Sequence, residues 1–164
     1  MDKIILRDLQ KHPLTGEDIY TLTKGSCNIF KYSELEPLSL ETILGKHKCA
    51  IILLEYAGRD IGHWVLLFKN KDDSYTFYNS LGYPIDYQMQ TPILSMKLMG
   101  KKIYNNNAKI QSKASDINTC GRFCILRLNY RNLSNQEFNK LLTQNKCYDS
   151  DFWATICSTN FLNF

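Results

Sequence analysis

The hydrophobic pattern changes period twice along the chain. The early part reads helical. Thr15-Gly16-Glu17-Asp18 has the form of a capping box followed by Ile19, Leu22 and Thr23, and Ser39 to Gly45 reads as a short helix closed by glycine. The centre switches to strands. Cys49 to Tyr56 is a continuous apolar run, as a strand buried on both faces requires, and His63 to Lys69 and Ser74 to Tyr78 follow it across a turn at Asn70 to Asp73. Ala57 to Gly62 reads as a turn or loop, Pro92 to Met99 as a helix, and Lys101 to Tyr104 with Ala108 to Gln111 as a further strand or edge pair. From Thr119 the pattern is helical again: Ser134 to Glu137 is a second capping box with Phe138, Leu141 and Leu142 on one stripe, and Asp151 to Cys157 forms a last helix. Helices, antiparallel strands, then helices predict an α+β fold.

Length changes this picture little. The chain's 164 residues suit a single domain over 1–164, and 44% hydrophobic content is enough to fill a core without staples. No stretch reaches the run of about 18 apolar residues that spans a bilayer, and the first residues lack a signal peptide's apolar core, so we expect no membrane association and no secretion. The six cysteines, at 27, 49, 120, 124, 147 and 157, are scattered through a chain large enough to fold alone and are expected as free thiols. The formal charge of +4 is a mild excess that permits attraction to a polyanion without requiring it.

The candidate chemistry lies at three places. Cys120 opens an apolar helical run, where free amide N–H groups and the helix dipole favour a thiolate and can hold an oxyanion, with Thr119 as the expected cap. Gly121 offers room for a substrate backbone. His63 opens a strand after a glycine, whereas His12 and His47 stand in Lys-rich, polar contexts. Asn79 ends the strand that a hairpin brings back beside His63 and is placed to orient the imidazole. Together they form a Cys–His–Asn variant of the nucleophilic triad, with an expected thiolate–imidazolium pair. Each residue alone is more often structural, a core thiol, a strand histidine or a turn asparagine. The joint placement carries the inference. No Cys and His spacing matches a zinc pattern, so no metal is expected, and Cys124 is expected to point into the core.

Gly62-His63-Trp64, Phe77-Tyr78-Asn79-Ser80-Leu81-Gly82 and Thr119-Cys120-Gly121-Arg122-Phe123-Cys124 resemble the adenovirus-type (adenain-like) cysteine proteases of the SUMO-protease superfamily, in the branch of viruses, virophages and polinton-like elements. The resemblance implies a papain-like fold in permuted His–Asn–Cys order, with a mainly antiparallel central sheet flanked by helices. It implies an endopeptidase that processes capsid precursors during virion maturation at glycine-containing sites, acting in the virion and in the cytoplasm or nucleus of the host. Trp64 would then narrow the cleft, or else be a core tryptophan. Two departures stand out. Most relatives carry an acid where this chain has Asn79, which leaves Asp86 as a substitute orienter. The family's oxyanion glutamine also stands nearer the nucleophile than Gln111, which precedes Cys120 by nine positions. Gln111 and the Cys120 N–H are the expected oxyanion donors. No cofactor is required, DNA or a viral peptide are the activators the resemblance implies, and a monomer is expected. The alternatives are a ubiquitin-like-protein isopeptidase and an inactive scaffold that binds capsid or nucleic acid.

Overall fold

The computed structural model describes residues 3–56, 62–144 and 148–160. Residues 57–61 of the expected loop, and Cys147, lie outside these. The elements run α1 (Lys3–Lys11), α2 (Gly16–Leu22), β1 (Asn28–Lys31), a 3-10 turn (Tyr32–Glu34), α3 (Leu40–Leu44), β2 (Cys49–Glu55), β3 (Gly62–Lys69), β4 (Tyr75–Tyr78), α4 (Ile93–Lys97), β5 (Ile103–Asn105), α5 (Cys120–Asn129), α6 (Asn135–Thr143) and α7 (Ser150–Asn160). The capping residues act as their chemistry dictates. Thr15 and Ser134 close full capping boxes with Asp18 and Glu137, and Ser39 accepts from the Thr42 N–H.

One five-stranded sheet in the order β1-β2-β3-β4-β5 forms the centre. The fold is α+β, but the sheet is mixed rather than mainly antiparallel: β2–β3 and β3–β4 are antiparallel, while β1–β2 and β4–β5 are parallel. β1 was not legible in advance because its four residues, Asn-Ile-Phe-Lys, are too few to show a period. Ala108 to Gln111 forms no strand; the Ile110 and Gln111 N–H groups both donate to the Ser80 carbonyl instead.

Alternation along the strands divides the core. Ile51, Leu53, Trp64, Leu66 and Phe68 face α5, with α2, α6 and α7 around it, while Ile52, Leu54, Val65, Leu67 and Phe77 face α3 and α4. Burial on both faces is why β2 reads as an unbroken apolar run. α5 is buried along its whole length from Cys120 to Leu128, which makes it the central helix. Its Arg127 is fully buried and, among the described residues, makes no direct ion pair, with Glu137 acting on it only from a distance. The guanidinium donates to Asn135 Oδ1 at 3.1 Å and to the Tyr130 and Leu133 carbonyls at 2.7 Å each, stitching the α5–α6 connection, and lies over the Phe68 and Phe138 rings. Burial lowers its pKa to about 10.

Candidate active site

His63 is the second residue of β3, and Gly62 before it is required by close approach: a Cβ there would fall 2.0 Å from the Leu54 carbonyl oxygen. Asn79 immediately follows β4. Extending the Leu66–Tyr78 register by one places Asn79 alongside Val65, diagonal to His63 on the same face. The two side chains meet there, His63 Nε2 to Asn79 Oδ1 at 2.8 Å, both buried.

The protonation pattern follows from the neighbours. Asn79 Oδ1 also accepts the Leu81 backbone N–H at 2.9 Å, which fixes that end of the carboxamide as the oxygen, and Asn79 Nδ2 donates to Gln88 Oε1 at 2.7 Å. An oxygen can only accept, so His63 Nε2 carries the hydrogen and Nδ1 keeps its lone pair as the basic end. The Asn79 carbonyl is held in turn by Asn106 Nδ2 at 2.7 Å, in a buried amide chain that continues through Asn139 to the Tyr78 hydroxyl. Asp86 is not the orienter. Its carboxylate accepts from the Tyr32 hydroxyl and the Ser95 N–H, each at 2.6 Å, which occupies both oxygens.

Cys120 is the first residue of α5. Thr119 does not cap the helix as expected: its φ and ψ of −99° and 1° lie outside the extended region a cap uses, and its hydroxyl donates to Asp151 Oδ1. The first-turn amides are therefore left without a side-chain cap. The N–H groups of Trp64, Gly121 and Cys120 itself draw the Cys120 thiol towards its ionised form, but burial outweighs them and raises its pKa. The sulfur thus sits against the backbone of the residue next to His63. No hydrogen bond joins it to the imidazole, and Cys120 is only 6% exposed. Burial also lowers the His63 pKa to about 4, against the opposing bond from Asn79. Both shifts run against the expected thiolate–imidazolium pair and favour the uncharged thiol and imidazole.

Gln111 is buried, and its Oε1 accepts from the Ser80 hydroxyl at 2.6 Å, which leaves its amide nitrogen, a pure donor, for an oxyanion. Between Gln111 and Cys120 the chain makes a turn in which the Ile117 N–H donates to the Ala114 carbonyl. Packing corrects the reading of Gly121 and favours the core alternative for Trp64. Gly121 faces the core, where a Cβ would lie 3.3 Å from both Leu14 Cβ and Trp64 Cδ1, so the glycine admits helix packing rather than a substrate chain. The Trp64 indole is a core group, 7% exposed and donating to the Leu14 carbonyl at 2.9 Å. Cys124 points into the core as expected. Among the described residues no group of three His, Cys, Asp or Glu side chains is placed to hold a metal.

A cavity of about 520 Å³ opens beside these residues, lined by Tyr56, Glu55, Glu36, Gln88, Met89 and Gln90 among others. Gln88 links it to Asn79. Tyr56 lies near Cys120, and its phenol pKa is raised by burial and then by the nearby Cys120 and Tyr83. A larger groove of about 670 Å³ at the far end of β3, between Phe68, Thr76, Tyr104 and Arg131, touches none of the candidate residues. Gln88, Ser80 and Asp151 escaped sequence reasoning. Gln88 and Asp151 stand outside the three motifs and only their proximity in the folded chain marks them, while Ser80 lies within the Phe77 to Gly82 motif but shows its contact with Gln111 only in the fold.

The fold and site define an α+β protein whose mixed sheet and central helix gather a thiol, an imidazole and a carboxamide. Its relatives place it more narrowly. The chain is 34% identical to "Uncharacterized protein V9" of Sputnik virophage over 151 residues, covering 82% of this chain and 86% of that protein, and it belongs to the same family. It is thus a viral protein of the virophage kind. No family model matches it. Among the described residues no helix is long and apolar enough to cross a membrane.

Proposed function

We propose that this chain is a thiol endopeptidase with a papain-like fold in permuted order, cutting capsid precursors at glycine-containing sites during virion maturation. The observation that carries the reading is the buried 2.8 Å bond from His63 Nε2 to Asn79 Oδ1, one residue along β3 from the backbone amide that faces the Cys120 sulfur. In this mechanism His63 Nδ1 takes the Cys120 proton as the sulfur attacks the scissile carbonyl. The oxyanion is held by the Cys120 N–H and the Gln111 amide. The C–N bond breaks as the imidazolium gives its proton to the leaving amine, and water, deprotonated by His63, releases the acyl group. Starting from a neutral pair, the proton moves during attack rather than before it. The protein would act as a monomer in the virus particle and host cell, with DNA or a viral peptide as stimulants and no cofactor.

A second reading, a scaffold of this fold without activity, is favoured by one observation: the sulfur is almost fully enclosed and not bonded to the imidazole. Hydrogen bonds of this kind often close only once substrate is bound, so the open geometry does not count against the peptidase. Incubation with glycine-containing fluorogenic peptides, capsid precursors and ubiquitin-like conjugates separates the readings. Cleavage of precursor that is lost in Cys120→Ser and His63→Ala supports the endopeptidase. Cleavage of conjugates alone makes it an isopeptidase. No cleavage, together with no labelling of Cys120 by a thiol-reactive peptide probe, makes it a scaffold.

A further inference from the structure

Gln111 and Cys120 are joined by the segment 112–119, which holds itself weakly: an Ala114 N–H to Ser112 Oγ contact at 3.2 Å and the turn at Ile117 are its internal bonds. Donors for an oxyanion must nonetheless be held within a fraction of an ångström. The segment is instead tied from outside. Asn118 donates through its backbone and side chain to the Gln10 and Lys11 carbonyls of α1, both at 2.7 Å. Both ends of the segment are gripped by α7. The Ser150 hydroxyl donates to the Ile110 carbonyl at 2.5 Å, the Ser112 N–H donates to Asp151 Oδ2 at 2.8 Å, and the Thr119 hydroxyl donates to Asp151 Oδ1. Asp151 is 4% exposed and, among the described residues, forms no ion pair; these two donors stabilise its charge, with a smaller contribution from Lys109. The cap of α7 is supplied elsewhere, by Asp149 Oδ1 accepting the Phe152 N–H at 2.8 Å, so Asp151 is not needed for that task.

We propose that Asp151 is a positioning residue for the oxyanion site. One buried carboxylate, bonded to the residue after Gln111 and to the residue before Cys120, sets the separation of the two donors. The proposal rests on the peptidase reading and adds to it a residue far outside the three motifs. It also accounts for Thr119 failing to cap α5: its hydroxyl is engaged by the clamp, and the uncapped first-turn amides stay available to an oxyanion.

The test contrasts two reactions of one sulfur. Peptide hydrolysis passes through an oxyanion, and alkylation by iodoacetamide does not. In Thr119→Val and Asp151→Asn protein we expect kcat for peptide to fall about tenfold or more, with KM and the rate of Cys120 alkylation, followed by mass spectrometry, within about twofold of wild type. Thr119→Ser, which keeps the hydroxyl, is expected to restore kcat. Unchanged kcat in both variants overturns the proposal. So does a parallel fall of alkylation and hydrolysis, or lost activity explained by a collapsed thermal melt, since either means the carboxylate serves the nucleophile or the fold at large. Wild-type protein that neither hydrolyses peptide nor alkylates at Cys120 defeats the peptidase reading itself, and this one with it. Wild-type turnover with insensitive variants defeats only the clamp.

Discussion

The Ser80 hydroxyl donates to the Gln111 carboxamide at 2.6 Å, one residue beyond the Asn79 carboxamide that holds His63. In the proposed mechanism, consecutive residues leaving β4 would therefore serve the base and the oxyanion donor separately. Ser80→Ala frees Gln111 to rotate while leaving the His63–Asn79 bond in place. We expect it to lower kcat about tenfold, and Gln111→Ala about a hundredfold, with little change in KM. Steady-state kinetics on a glycine-containing peptide check both, and a raised KM with unchanged kcat would place Gln111 in ground-state binding instead.

Asn79→Asp puts a carboxylate where a neutral amide now lies 2.8 Å from Nε2. A negative charge there stabilises the imidazolium and raises the His63 pKa from its depressed position, which in turn favours the thiolate. Gln88 can turn its amide to donate to the new carboxylate. The expected result is a pH profile for Cys120 alkylation displaced to lower pH than in wild type. An undisplaced profile would mean that the sulfur and the imidazole do not share a proton.

His63 also makes stability depend on pH. Burial holds its folded pKa at about 4 against an ordinary 6.5, so the unfolded chain takes up the proton first as pH falls. The stability contributed by the neutral ring is complete above the unfolded value and is lost progressively between pH 6.5 and 4, by about 3 kcal/mol at most. Urea denaturation at several pH values in this window should show that slope in wild type and its reduction in His63→Gln.

Arg127 gives a prediction independent of catalysis. Arg127→Leu fills part of the same space but strips the Leu133 carbonyl and Asn135 Oδ1 of the guanidinium donor, and leaves the Tyr130 carbonyl with the Leu133 N–H alone. A loss of about 2–4 kcal/mol is expected, read as a lower Tm or urea midpoint with an unchanged m-value.

How much of this was legible beforehand follows from the range of the interactions. The capping boxes at Thr15 and Ser134, the strand at Cys49 and the hairpin at Asn70 are local events, and local sequence dictates them. The His63–Asn79 pairing was legible because a short hairpin converts sequence distance into register. β1 was not, since its parallel pairing with β2 depends on a partner some twenty residues away and on no turn signal. The helix-opening position of Cys120 was visible, but its enclosure was not, because the groups that enclose it come from several separate segments. Thr119 illustrates the same limit: its local role as a cap was overridden by Asp151, which is 32 residues distant. Gly121, expected to admit a substrate, and Trp64, for which cleft and core both stood open, are each other's packing partners.

Both borders of the sheet are short. β1 has four residues and β5 three, and each runs parallel to its inner neighbour. So little open backbone gives another copy of the chain almost nothing on which to add a strand. Short borders of this kind leave few unpaired amides and carbonyls for edge-to-edge association between copies of the chain.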